Sequence, residues 1–118
     1  MEKANVIVDK SMNFAIRIVK FYKFLREKRA EFVLSKQVLR SGTSIGANVK
    51  EATYAQSKAD FNAKMYIAMK EAAETEYWIE LLEKTDYITE QQATSLRTDC
   101  TELIKILTAI TKTVKRNL

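Results

Sequence analysis

The chain has 118 residues, with 20 Lys and Arg against 15 Asp and Glu for a formal charge of +5; it contains two Gly, one Cys and neither His nor Pro. Without His there is no imidazole acid–base or metal chemistry and no Ser–His–Asp or Cys–His pair, and a lone Cys allows neither an intramolecular disulfide nor a thiolate zinc cluster. The scarcity of turn formers argues against a β fold, and the length fits one domain with its own core.

The first ten residues, Met1 to Lys10, hold too short an apolar run for a secretion signal or membrane span, and no later stretch is long enough. A cytoplasmic protein without membrane contact is expected, and Cys100 suits a reducing compartment. A first helix is predicted over 7–29, where Ile7, Ser11, Phe14, Ile18, Phe21 and Leu25 form one seam, widened by Ala15 and Tyr22. A second apolar line, Met12, Ile16 and Val19, runs beside it. The combined stripe is broader than one bundle core needs. It fits contact with another subunit or a helix wedged between two neighbours.

A second helix is predicted over 33–56 from Leu34, Val38, Ile45, Val49 and Ala52. By propensity its middle, Arg40-Ser41-Gly42-Thr43-Ser44-Ile45-Gly46-Ala47-Asn48, reads as a loop, since each interior Gly costs roughly 1 kcal/mol. Gly42 and Gly46 nevertheless fall on one helix face. With Ser41, Ala47 and Asn48 they form a small-residue stripe against which another backbone can pack closely. A phosphate-cradling loop would need G-x-x-x-x-G-K-[ST], or G-x-G-x-x-G after a strand; neither occurs, and no cofactor is expected.

The third and fourth helices, predicted over 58–84 and 89–116, carry the most regular seams. Phe61, Met65, Ala68, Ala72, Thr75, Ile79 and Leu82 mark one; Ala93, Leu96, Cys100, Leu103, Leu107, Ile110 and Val114 mark the other. Ser57 with Asp60 resembles a capping box with a shortened acid. Thr89 with Gln92 is a fuller one, and Ile88 is placed to staple onto Ala93. Lys84 to Tyr87 is then a short turn. Short connections imply antiparallel neighbours, so the expected fold is all-α: an up-down-up-down four-helix bundle filling 1–118 as a single domain.

Charge is uneven along the chain: +7 over residues 1–50, −5 over 51–100 and +3 over 101–118. Lys23, Arg26, Lys28 and Arg29 close the first helix, and Lys36 and Arg40 open the second, so these six meet at one end of an antiparallel bundle. Lys112, Lys115 and Arg116 close the fourth helix at the other end, near Lys3 and Lys10. Such groups complement helix dipoles, contact phosphates, or dock onto the acidic third helix of a neighbouring subunit.

The run from Arg40 to Ala52, followed by Asp60-Phe61, Ile67-Ala68, Lys70-Glu71, Glu74-Thr75 and Tyr77-Trp78-Ile79-Glu80-Leu81-Leu82, resembles the bacterial four-helix-bundle or S23 ribosomal protein family, linked to intervening sequences in 23S rRNA genes. The resemblance covers nearly the whole chain. It departs at Glu31-Phe32-Val33, where the family often carries Pro. It implies a left-handed four-helix bundle, commonly a ring of five, and no catalytic residues. One branch, the accessory proteins of diversity-generating retroelements, is a basic pentamer that binds nucleic acid and a reverse transcriptase; membership of that branch would add that enzyme as a partner.

The remaining polar groups each have a bland and a functional reading. Glu71-x-x-Glu74 and Glu83-x-x-Asp86 invite comparison with helical Mg²⁺-dependent nucleotide hydrolases, but the second helix offers only Glu51 as a facing acid. A solvated or salt-bridged face is the simpler reading. Glu71 adjoins core Ala72 and is expected to be partly buried, paired with Arg40 or Lys50. Tyr54, Tyr66, Tyr77 and Trp78 fit base stacking or packing; for Trp78 an inter-helix or inter-subunit contact is favoured. Cys100 sits on a seam and is expected to be a small buried hydrophobe. Two functions compete: a non-enzymatic ring-forming bundle that binds RNA or DNA through Lys23, Arg26, Lys28, Arg29, Lys36, Arg40, Lys112, Lys115 and Arg116, and a structural homo-oligomer whose basic edge is used in self-assembly. Gly42, Gly46, Asn48, Glu71 and Trp78 are the expected packing or interface residues.

Overall fold

The computed structural model describes the backbone of residues 2–116 and the side chains of residues 5–114. Four helices follow one another: α1 (Glu2–Arg29), α2 (Leu34–Ala52), α3 (Lys58–Lys84) and α4 (Glu90–Arg116). They form an all-α antiparallel bundle 46 Å long and about 20 Å across. Each helix packs on its chain neighbours and α1 closes the circuit against α4, so α1 and α3 lie on one diagonal and α2 and α4 on the other.

The caps explain the boundaries. Thr89 and Gln92 form a reciprocal capping box: the Gln92 amide donates to Thr89 Oγ1 (3.1 Å) and the Thr89 amide to Gln92 Oε1 (2.9 Å). Ser57 accepts from the Asp60 amide at 3.0 Å, while the shorter Asp60 carboxylate accepts from the Gln56 amide rather than from that of Ser57. At the start of α2 the capping position is Val33, which has no side-chain acceptor. Glu31 supplies it instead: its buried carboxylate accepts from the amides of Val33 (3.2 Å) and Ser35 (2.6 Å). A carboxylate at a helix N-terminus is favoured by the dipole as well as by the hydrogen bonds. Glu31-Phe32-Val33 therefore builds a cap.

α1 begins upstream of residue 7, because nothing in Ala4-Asn5-Val6 breaks a helix. α2 is continuous helix through its glycine-containing middle, against local propensity but as the 33–56 helix requires; the correction is at its end, which falls at Ala52 instead of residue 56. Residues 53–56 turn the chain, held by hydrogen bonds from the Tyr54 amide to the Glu51 carbonyl (3.0 Å) and from the Ala55 amide to the Ala52 carbonyl (3.1 Å). α3 ends with Asp86 in the left-handed region (φ 68°), its amide on the Glu83 carbonyl and that of Tyr87 on the Leu82 carbonyl, both 3.0 Å. This is the Schellman arrangement, here with Asp in place of the usual Gly.

The predicted seams form the core. Ile7, Ile18, Leu25, Val38, Ile45, Met65, Ile79, Leu82, Leu103 and Leu107 are fully buried. Each such aliphatic contributes about 1.5–3 kcal/mol relative to exposure. Cys100 is among them; burial pushes its thiol up to about 12, and Sγ donates to the Ala72 carbonyl at 3.2 Å. That environment leaves it a packing residue rather than a nucleophile.

Candidate functional site

Of the small-residue stripe of α2, Gly42 and Gly46 face α1, whereas Ser41 meets Thr75 on α3 and Ala47 is exposed. A Cβ on Gly46 would stand 3.3 Å from the Ser11 carbonyl oxygen, and one on Gly42 would stand 2.7 Å from Ile18 Cγ1. These glycines therefore serve packing within the bundle, with the α1 backbone laid directly on α2. Asn48 does not cross to another helix: its Nδ2 donates to the Ser44 carbonyl of the same helix at 2.8 Å.

Glu71 is partly buried and bonded to Arg40 at 3.1 Å, as its place beside Ala72 suggested. Arg40 also holds Glu74, whose other partner is Trp78, with Nε1 donating at 3.0 Å. The Arg40 hydrogen bond, followed by that of Trp78, lowers the Glu74 carboxyl below the ordinary carboxylate range, and the same contact raises Arg40. Arg40 is therefore occupied within the molecule. On the next seam Arg97 holds Glu83 at 2.9 Å. Each acidic pair of α3 thus includes a carboxylate neutralised by an arginine, and among the described residues no group of three or more potential metal ligands converges.

The remaining predicted cations fall into two groups at opposite ends of the long axis. Lys23, Lys28 and Lys36 are exposed at the α1–α2 end, with no ion pair among the described residues. Arg29 donates through Nε to the Tyr87 carbonyl at 3.1 Å and lies over Phe24, its guanidinium carbon 4.8 Å from the ring centre. Arg26 lies over two rings, 5.4 Å from the Tyr22 centre and 5.0 Å from that of Phe32. Tyr22, which widens the α1 seam, stands one helical turn before Arg26, and that spacing signals the first contact; the contact with Phe32 crosses the helix end and has no such signal. Lys112 is exposed at the other end; the side chains of Lys3, Lys115 and Arg116 lie outside the described residues.

The ambiguous α1 line is resolved by burial. Met12, Ile16 and Val19 are 60%, 49% and 37% exposed, so no neighbouring helix of the bundle covers them. A second, largely apolar face runs along the outside of α3, where Tyr66, Ile67 and Tyr77 are 37%, 41% and 58% exposed beside exposed Ala63 and Ala73, with the exposed Lys70 between them. Trp78 is half-buried against the core and meets Tyr77 edge-on, with ring centres 5.0 Å apart. Because α1 and α3 are diagonal, these faces lie on different sides of the molecule. They also share a height. Ile18 meets Gly42, and neighbouring Ser41 accepts from Thr75 at 2.9 Å, which sets Met12–Val19 level with Tyr66–Tyr77. Further along the same direction α1 exposes Lys20 and Lys23, and α3 exposes Glu80.

The architecture and these surfaces define a class: a four-helix bundle with arginine–carboxylate pairs along its seams and exposed apolar patches on the outer sides of α1 and α3. The chain belongs to the family described as 23S rRNA-intervening sequence protein, which it matches over residues 3–109. It is similar to a solved structure of a protein of unknown function from the S23 ribosomal protein family of Bacteroides thetaiotaomicron. The two are 60% identical with a TM-score of 0.92, over 93% of this chain and 98% of that one. No curated protein matches it. Among the described residues no helix is long and apolar enough to cross a membrane.

Proposed function

We propose that the protein is a non-enzymatic, self-assembling bundle in which the outer face of α1 on one copy docks on the outer face of α3 on the next. The observation that carries this reading is the pair of exposed apolar faces, level with each other on different sides of the molecule and followed by opposite charges. In a head-to-tail contact between copies sharing one helix direction, Met12, Ile16 and Val19 meet Tyr66, Ala73 and Tyr77, while Lys20 and Lys23 approach Glu80. Burial supplies the affinity and the charges favour the register. A heterologous contact of this kind closes into a ring where the rotation permits, and the family resemblance implies five subunits.

Mixing distinguishes this contact from a symmetric one. Ile16→Glu and Tyr77→Glu should each abolish assembly in multi-angle light scattering. An equimolar mixture should recover a one-to-one dimer, because each variant retains the face the other lacks. A mixture that stays monomeric, or assembly untouched by either substitution, rejects the reading.

A second reading, nucleic-acid binding, is supported by the exposed cations Lys28 and Lys36 and the ring-seated Arg26 and Arg29, which cap the bundle end away from the Met12–Val19 and Tyr66–Tyr77 faces. Affinity for RNA or DNA should then fall steeply as salt rises.

A further inference from the structure

We infer that the α1–α2 end is a site for single-stranded nucleic acid, with Arg26 gripping a phosphate and Phe32 offering a platform to an unpaired base. This rests on the second reading above. Among the five arginines with described side chains, four have polar partners. Arg17 reaches Asp99 at 2.7 Å and Ser95 Oγ at 2.6 Å, Arg40 holds Glu71 and Glu74, Arg97 holds Glu83 at 2.9 Å, and Arg29 donates to the Tyr87 and Lys28 carbonyls. Arg26 alone has none among the described residues; its contacts are the rings of Tyr22 and Phe32.

That difference has a chemical meaning. A guanidinium over aromatic rings is held by their π faces while its N–H edges keep their donor capacity. The fork is therefore placed before a ligand arrives, which reduces the ordering cost of a charge-assisted phosphate contact. Lys28 and Lys36 are exposed on the adjoining turns. The acid of the connection, Glu31, is buried and committed to the α2 amides, leaving Glu27 as the exposed acid of this segment.

The choice of single strands comes from Phe32 and Val33, which are 50% and 70% exposed at the tip. A duplex keeps its base faces stacked inside and presents only edges and phosphates. An unpaired strand offers a face to an aromatic ring and phosphates to flanking cations, the combination found in single-strand binding surfaces. An anionic bilayer would also attract a basic tip with apolar residues. However, inserting Phe32 into hydrocarbon would pull it from Arg26 or carry the charge in with it.

Fluorescence anisotropy with a labelled 20-nucleotide oligo(U), oligo(dT) and a duplex of equal length tests the site, alongside co-sedimentation with phosphatidylserine vesicles. The full-length protein should bind the single strands about tenfold more tightly than the duplex. Arg26→Ala and Phe32→Ala should each weaken single-strand binding about five- to tenfold, with Arg26→Lys recovering only part and Phe32→Tyr most of it. Circular dichroism should show the folded helix content unchanged in all four variants. No binding to any oligonucleotide at low salt overturns the nucleic-acid reading and this site with it. Binding that survives both alanine variants, or that is lost instead on Lys112→Ala at the far end, overturns the site and leaves that reading standing. Equal affinity for duplex overturns the single-strand assignment. Vesicle binding lost in Phe32→Ala, with no single-strand binding, overturns the site in favour of a membrane surface.

Discussion

The two flanks of α1 are built on different principles. Toward α2, the Ser11 backbone lies on Gly46 and Ile18 fills the space above Gly42, so the helices meet with little between them. Toward α4 the packing is sparser and long polar side chains bridge the gap: Lys10 to Glu102 at 3.1 Å, and Arg17 to Asp99 and Ser95. Clefts of about 510 and 190 Å³ open along this second seam. Close packing is dry, short-ranged and intolerant of added volume. Bridging by exposed ions tolerates substitution and depends on salt. One helix thus has a fixed side and an adjustable side.

The largest expected effects come from disturbing the packing of the fixed side. Gly42→Val should destabilise the protein by about 2–3 kcal/mol in urea unfolding, because its side chain would occupy the space of fully buried Ile18. Ile18→Ala alone should also destabilise, by about 2–4 kcal/mol, yet the double variant should lose less than the sum. Strict additivity would refute the contact. Next is the cap that sets α2 against α1: Glu31→Ala should cost about 1–2 kcal/mol, with Glu31→Gln retaining part of the stability through its acceptor oxygen. On the adjustable side Arg17→Ala should cost no more than about 1 kcal/mol, and the difference should shrink in 1 M salt. An effect as large as that of Gly42→Val would erase the distinction between the flanks.

The smallest effect belongs to the α2–α3 seam, which combines both principles. Folding lowers the Glu74 carboxyl below its ordinary 4.5 through Arg40. The stabilisation is therefore fully present above the unfolded value and is lost as pH falls through the folded one. Glu74 and Arg40 are substantially solvated, so the amount is well under about 1 kcal/mol. Comparing wild type with Glu74→Gln by urea unfolding between pH 6 and pH 2 should show the gap closing below about pH 4.5. A gap that widens on acidification would contradict the assigned direction.

Much of the candidate site was legible one residue at a time. Gly42 and Gly46 announced a close approach through their spacing, and Glu71 announced its burial through its neighbour Ala72. Arg40 was legible only as one of two candidate partners of Glu71, beside Lys50, and its second carboxylate, Glu74, followed only from the positions of two helices. Arg26 was one basic residue among six; its distinction lies in being the arginine without a polar partner among the described residues and in lying over Phe32, across a helix end. The stop of α2 at Ala52 was also hidden, since neither Gly nor Pro marks it. The extended Ser57 cap (φ −153°) and the reversal into α3 require those residues for the turn.

By itself the sequence determined the helices, their seams and the Ser57 and Thr89 caps, because hydrophobic period and capping chemistry act over a few residues. It also determined which chemistries lack their groups, since no arrangement supplies an absent imidazole. The tertiary structure decided which cations are spent and which stay available, and whether the extra stripe on α1 is covered. Those outcomes depend on distances between side chains far apart in the chain. A Met12–Val19 line has the same period whether another helix lies against it or solvent does.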